Sequence, residues 1–138
     1  TNVNDGTIVA IGAGRNRNAG DWNYATQSRR QPGSTAKPIF DYGPGMEYND
    51  FSTYTLFNDE PWTYTNGPEI GNWDGSYQGL ITLRQALSVS RNIPALKAFQ
   101  QVDKKNIVTF VNNLGLDVAY STKSENYKKD MDRHFLSA

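Results

Sequence analysis

Two residues in this chain have the types and spacing for acyl chemistry. Ser34 and Lys37 lie three apart in Gln31-Pro32-Gly33-Ser34-Thr35-Ala36-Lys37-Pro38. A serine hydroxyl is a poor nucleophile near neutral pH and needs a base within hydrogen-bond reach. The chain has no cysteine and one histidine, His134, far off in a polar tail, so the base is expected to be a lysine. A lysine serves only when neutral, and burial favours that state by penalising the ammonium. If Ser34 sits at a helix mouth, backbone N–H groups there also face a developing oxyanion. A second polar pair, Ser90 and Asn92, occurs in Ser90-Arg91-Asn92.

Those groups are useful only if local structure brings them together. Pro32 and Gly33 break the preceding chain, and proline is tolerated in a first helical turn, so a helix is expected to open there. Its spacing puts Lys37 one turn below Ser34 on the same face. The pattern continues through Ile39, Phe40 and Tyr42 and is expected to stop near Gly43-Pro44-Gly45. Thr82-Leu83-Arg84-Gln85 fits a capping box, and that helix should end near Ser88–Ser90. Ile93-Pro94 implies a break and a new helix from about Asn92. Ser90-Arg91-Asn92 then occupies a corner between helices, where polar side chains face a cleft. Asp103 caps a third helix over Ile107, Val108, Phe110, Val111 and Leu114, closed by Gly115.

Residues 43–81, rich in glycine and aromatics, read as a long ordered loop region lining a cleft. Asp59-Glu60 within it is a poor glycosidase dyad, because neighbouring carboxylates rarely flank one bond. At the start, Asn4-Asp5-Gly6 and the β-branched run Thr7–Ile11 predict a hairpin arm ended by Gly12-Ala13-Gly14. A dinucleotide fingerprint there lacks its third glycine, since position 17 is Arg17. Trp22 and Tyr24 are expected to anchor the irregular stretch around them. Arg29-Arg30 reads as a solvated pair, with a field for an anionic substrate as the alternative. A second Ser-x-Asn, Ser124-Glu125-Asn126, lies in the unpatterned tail and is discounted.

Composition narrows the class. Fourteen basic residues balance fourteen acidic ones in 138 residues, which gives no support for nucleic acid as a partner. Without cysteine, disulfides, thiolate nucleophiles and cysteine metal sites are excluded. No apolar stretch approaches the roughly 20 residues that span a bilayer. The chain opens on Thr1 close to a strand pattern and reads as a piece of something longer.

Arg30-Gln31-Pro32-Gly33-Ser34-Thr35-Ala36-Lys37-Pro38 closely resembles the nucleophile motif in the transpeptidase domain of class A, bifunctional penicillin-binding proteins. The likeness covers most of residues 3–118. It includes Asp5–Ala10 with Gly14-Arg15, Asp59-Glu60-Pro61, Asn72-Trp73-Asp74, Gly79, Thr82–Leu87, Ser90–Ala95 and Leu114-Gly115-Leu116. The resemblance implies a mixed α/β (α+β) transpeptidase fold of the penicillin-binding and serine β-lactamase-like kind, incomplete here. Helices and a β-hairpin would belong to its central antiparallel sheet. It further implies that Ser34 attacks the D-Ala-D-Ala of a peptidoglycan stem peptide and that Lys37 takes its proton. Ser90 would relay a proton to the leaving amine, and Asn92 would bind the substrate amide while fixing Lys37. Trp73 matches an aromatic at the cleft mouth, with loop packing as its plainer role. β-Lactams would acylate the same serine, and no cofactor or metal is implied.

The family's Lys-Thr-Gly or Lys-Ser-Gly strand occurs nowhere in these 138 residues. Residues 1–138 are therefore expected to be the N-terminal part of one such domain, paired with a downstream segment. The parent is expected on the outer face of the bacterial cytoplasmic membrane, anchored there and carrying a glycosyltransferase domain. Water as the acceptor would make a D,D-carboxypeptidase or β-lactamase, and slow deacylation a β-lactam-sensing receptor.

Overall fold

The computed structural model describes residues 1–12, 14–27, 32–64 and 67–116. Arg29-Arg30, Ser124-Glu125-Asn126 and His134 lie outside them. The chain divides into two compact units, Thr1–Gln31 and the remainder from Pro32. No helix among the described residues is long and apolar enough to cross a membrane.

In the first unit the expected turn forms but the strand does not. The Asn2 N–H donates to the Thr7 carbonyl at 2.8 Å, and the Gly6 N–H to the Asn2 carbonyl at 2.9 Å. Gly6 supplies the positive φ of +73° that the turn requires. Residues 7–11 then pair with no other described strand, and Ile8 and Val9 are each 71% exposed. A β-branched run becomes a stable strand only with an edge to pair with and a face to bury. The anchoring expected of Trp22 and Tyr24 is likewise corrected, because both are exposed. Helix α1, a single turn at Tyr24–Gln27, instead offers the Tyr24 ring to the Arg17 guanidinium, 5.5 Å from its centroid.

The second unit is built on a helical run over 33–48 that changes pitch twice. It opens as a 3₁₀ turn, Gly33–Ala36, widens to a π-helix, Lys37–Tyr42, and continues as α2, Gly43–Tyr48. The sequence predicts a stop at Gly43-Pro44-Gly45, and the run instead passes through them. A proline inside an α-helix lacks the N–H for its i−4 bond and drives its ring against that carbonyl. Here the wider turn sends the Gly43 N–H to the Pro38 carbonyl, so Pro44 enters as a first-turn residue of α2. Glycine at 43 permits the close approach, since a Cβ would lie 2.7 Å from the Pro38 oxygen and 2.9 Å from the Phe110 ring.

The stretch after α2 is less irregular than its composition suggests. Strands β1 (Leu56–Asp59) and β4 (Gly79–Thr82) pair antiparallel, with Phe57 opposite Ile81. Between them β2 (Trp62–Thr63) and β3 (Glu69–Ile70) form a small antiparallel pair of their own. Alternation along β1 buries Phe57 and Asp59 and exposes Leu56 and Asn58.

Helices α3 (Leu83–Ser88), α4 (Asn92–Gln101) and α5 (Lys104–Asn113) complete the unit as the sequence predicts. Thr82 caps α3 by accepting the Gln85 N–H at 3.2 Å, and Asp103 caps α5 by accepting the Lys105 N–H at 2.8 Å. The Gln85 side chain turns to Gln78 rather than closing a capping box. Helix α4 is central, with Ile93, Ala95, Leu96, Ala98 and Phe99 all fully buried. Phe99 packs with Ala36, Phe40, Ile107, Val108 and Val111, joining the helical run to α5. Ala95 and Ala98 pack with Tyr42, Phe57, Ile81, Leu83 and Ala86, joining the same run to the β1–β4 hairpin and α3. Each large apolar side chain buried this way contributes about 1.5–3 kcal/mol. The start of α4, which carries Asn92, is thereby fixed against the run that carries Lys37.

Candidate active site

The packing that fixes α4 against the helical run also buries Lys37, which is only 5% exposed. Its Nζ donates to three oxygens of the corner between α3 and α4. The Ser90 carbonyl lies at 2.7 Å, the Ser90 Oγ at 3.0 Å and the Asn92 Oδ1 at 2.7 Å. None of these acceptors carries a formal charge. Burial pushes the Lys37 amine below its ordinary value, opposed by the field of Asp41. The amine is therefore well supplied with acceptors yet closer to losing its proton than a surface lysine.

Ser34 lies in the 3₁₀ turn directly before it, exposed to solvent. Its carbonyl accepts the Lys37 backbone N–H. The hydroxyl makes no hydrogen bond to a described residue. Lys37, Ser90 and Asn92 thus meet through their side chains, and Ser34 is joined to them through the backbone. Trp73 is near the same corner. Its indole N–H donates to the Val89 carbonyl at 3.2 Å, while the residue remains 73% exposed. The ring is thus held at one atom and otherwise largely faces solvent.

The corner itself has an unusual backbone. Helix α3 ends with the Ser90 N–H on the Leu87 carbonyl at 3.1 Å and the Arg91 N–H on the Ala86 carbonyl at 2.9 Å. This is the Schellman arrangement, whose penultimate residue is left-handed and usually glycine. Ser90 fills that position with φ +56°. In this conformation its carbonyl and its hydroxyl both reach one amine.

Sequence reasoning placed Asp59, Asn72, Asp74 and Arg91 among the stretches that carry the family likeness but gave them no role behind Asn92. Asn72 is buried, and its Nδ2 donates to Asp59 Oδ1 at 2.7 Å and to the Ser76 carbonyl at 2.9 Å. Its Oδ1 accepts the Asn92 backbone N–H at 2.8 Å. Arg91, also buried, sends one nitrogen to Asp74 Oδ1 at 2.6 Å and another to Ser76 Oγ at 3.2 Å, with its Nε 3.4 Å from Asp59 Oδ2. Bonds from Ser76 and Arg91 hold the Asp74 carboxyl well below the usual carboxylate range. Asp59 and Glu60 point apart, the latter to Lys97 at 2.7 Å, as strand alternation requires. An acid and an amide within an aromatic loop gave no spacing signal from which this cluster could be read.

Asp41 was also missed. It is fully buried, and neither carboxylate oxygen has a hydrogen-bond partner among the described residues. Burial drives its carboxyl well above the ordinary range, with Lys37 and then Lys104 pulling the other way. An apolar hollow of about 360 Å³, lined by Pro38, Tyr42, Met46, Leu83 and Leu87 among others, includes none of the site residues. Among the described residues no group of three His, Cys, Asp or Glu is placed to hold a metal.

Residues 1–134 match the penicillin binding protein transpeptidase domain. The chain belongs to that family. Penicillin-binding protein 1A/1B of Bacillus subtilis is 53% identical over 123 residues, covering 89% of this chain and 14% of that protein. Penicillin-binding protein 1A of Streptococcus pneumoniae is 37% identical over 142 residues, covering 96% of this chain and 20% of the relative. The crystal structure of penicillin-binding protein 1A from Haemophilus influenzae superposes with a TM-score of 0.65 at 28% identity, over 76% of this chain and 16% of that one. The mixed helix-and-strand fold expected from the sequence is that of the transpeptidase family, represented by small antiparallel sheets. The chain spans about a seventh to a fifth of the length of these curated relatives.

Proposed function

We propose that this chain supplies the nucleophile half of a serine D,D-transpeptidase that cross-links peptidoglycan stem peptides, and that β-lactams acylate it at Ser34. The observation that carries the reading is the buried Lys37 amine, held by Ser90 and Asn92, one turn from an exposed Ser34 hydroxyl. Family membership agrees with it.

The three contacts differ in what they allow. The Ser90 carbonyl and the Asn92 Oδ1 only accept, so each keeps an N–H of the amine in either charge state. The Ser90 hydroxyl can turn away once Lys37 is neutral, leaving the single lone pair free for the Ser34 proton. A neutral Lys37 takes the Ser34 proton as Oγ bonds to the penultimate D-alanine carbonyl carbon, giving a tetrahedral adduct and an ammonium. The ammonium then passes a proton through Ser90 Oγ to the departing D-alanine nitrogen as the C–N bond breaks. An ester on Ser34 remains. An amine from a second stem peptide attacks that ester, forms the cross-link amide and returns the proton to Ser34. Trp73 offers an exposed aromatic face to the donor peptide. No cofactor enters these steps.

In this reading residues 1–138 are the N-terminal part of one transpeptidase domain. A downstream segment with the Lys-Thr-Gly strand completes the cleft. The parent works at the outer face of the cytoplasmic membrane, anchored and carrying a glycosyltransferase domain. The test is product analysis of the full-length protein with a D-Ala-D-Ala donor and a competing amine. Release of D-alanine with capture by the amine, abolished in Ser34→Ala, is the expected result. Release without capture would indicate hydrolysis, and no release would overturn the reading.

A further inference from the structure

The lysine cage depends on which way the Asn92 amide faces. Its Oδ1 accepts from Lys37 at 2.7 Å, and its Nδ2 donates to the Gly71 carbonyl at 2.9 Å. A flipped amide would set an N–H₂ against the lysine and an oxygen against a carbonyl, two repulsive contacts. The orientation is therefore set jointly by the Lys37 ammonium and the Gly71 carbonyl, and it weakens if Gly71 moves. Packing does not hold Gly71 in place, since the residue is exposed.

The neighbour does. Asn72 is saturated on both ends of its amide, by Asp59 and the Ser76 carbonyl on the nitrogen and by the Asn92 backbone N–H on the oxygen. Asp59 accepts only, so it dictates which end of Asn72 is which. Its other oxygen takes the Gln78 N–H at 3.0 Å, so the carboxylate is itself held.

We propose that Asn72 is a positioning residue for the acyl transfer, tying the 71–76 loop to the first turn of α4 so that the Gly71 carbonyl keeps Asn92 Oδ1 on Lys37. It acts through Asn92 and touches no reacting atom. The proposal rests on the transpeptidase reading for its assay, and on the hydrogen bonds alone for its geometry. The charged groups around the amine are Asp41 on its own helical run and, behind Asn92, the closed cluster of Arg91, Asp59 and Asp74. Lys104 on α5 also acts on Asp41. Substitutions at Asn72 and Asn92 remove none of these charges, although those at Asn72 take one hydrogen bond from Asp59.

The test is the second-order rate of labelled-penicillin acylation across pH in the full-length protein, for wild type, Asn72→Ala, Asn92→Ala and the double variant. A freed Asn92 amide removes an acceptor from the ammonium, which favours the neutral amine. Asn72→Ala is expected to slow acylation on the order of ten- to a hundred-fold and to move the acid limb to lower pH. Asn92→Ala should do the same, and the double variant should be no slower than Asn92→Ala. Ser76→Ala, which perturbs the same loop without removing a charge or a bond to Asn92, should leave the acid limb in place. Multiplicative losses in the double variant, or an unmoved acid limb in Asn72→Ala, would overturn the proposal. If Asn72→Ala does not fold, the near-isosteric Asn72→Leu takes its place, filling the volume while removing the acceptor of the Asn92 N–H. A ¹³C titration of the Lys37 side chain, lower in the variant than in wild type, reports the same change without any acylation. Failure of wild type to label would thus count against the transpeptidase reading, and an unshifted Lys37 against Asn72.

Discussion

Helices α3 and α5 end with the same hydrogen bonds and different residues. At α5 the Gly115 N–H reaches the Asn112 carbonyl and the Leu116 N–H the Val111 carbonyl, with Gly115 at φ +77°. At α3 the matching residues are Ser90, at φ +56°, and Arg91. Glycine adopts the left-handed conformation freely, whereas an L-residue with a Cβ gives up about 1–2 kcal/mol. The α5 stop is the relaxed solution, and the α3 stop tolerates strain. The two stops serve different ends: Gly115 closes a helix at the surface, while the Ser90 carbonyl and hydroxyl both bond Lys37. Backbone strain is retained where a functional contact needs it and where surrounding structure enforces it.

The largest effect comes from emptying the cage. Lys37→Met should lower β-lactam acylation on the order of 10³-fold or more, as removal of a general base does. Measured acylation rates across pH should show wild type rising through a value below 10.5, the ordinary lysine value. Ser90→Gly then separates the two roles of the α3 stop. Removing the strain gains about 1 kcal/mol, and losing the hydroxyl–lysine bond costs about the same or a little more. Thermal or denaturant unfolding should move by no more than about 1 kcal/mol, while acylation falls on the order of 10²-fold. A large loss of stability with unchanged acylation would break the comparison. The converse change, Gly115→Ser, should destabilise by about 1 kcal/mol and leave acylation untouched. A Cβ at 115 meets nothing within 4 Å, so the whole cost is conformational.

A smaller, pH-dependent effect is expected at Asp41. Its folded pKa is raised by burial, so its contribution to stability is fully present below the unfolded value near 3.8 and is lost as pH rises toward the folded value. Asp41→Asn removes that titration. The variant should gain on wild type steadily as pH rises from about 4, read as the difference in denaturant midpoint at several pH values. A constant difference would mean that the carboxyl titrates normally.

The parts of the molecule legible in the sequence are those with short-range causes. Thr82 and Asp103 announce two helix starts and Gly115 a helix end, because caps act over a few residues. Lys37 and the pair Ser90 and Asn92, whose contacts span 53 and 55 residues, are linked beforehand only by the family resemblance. The continuation through Pro44 is hidden, since it depends on a widened turn and on Gly43 approaching Pro38 and Phe110. The unpaired run at 7–11 and the exposed Trp22 and Tyr24 mislead for a related reason: β-branched and aromatic types promise burial that only a partner surface can provide. Asn72, Asp59 and Arg91 are 13 to 32 residues apart in sequence and meet only after the β1–β4 hairpin closes. No local pattern encodes such a cluster.

Whether the caged Lys37 makes Ser34 the nucleophile is tested most directly by treating the full-length protein with labelled penicillin and digesting it for mass spectrometry. The predicted result is one adduct, on the peptide containing Ser34, absent in Ser34→Ala and strongly slowed in Lys37→Met. An adduct on any other residue, or label retained at full rate in Lys37→Met, would contradict it.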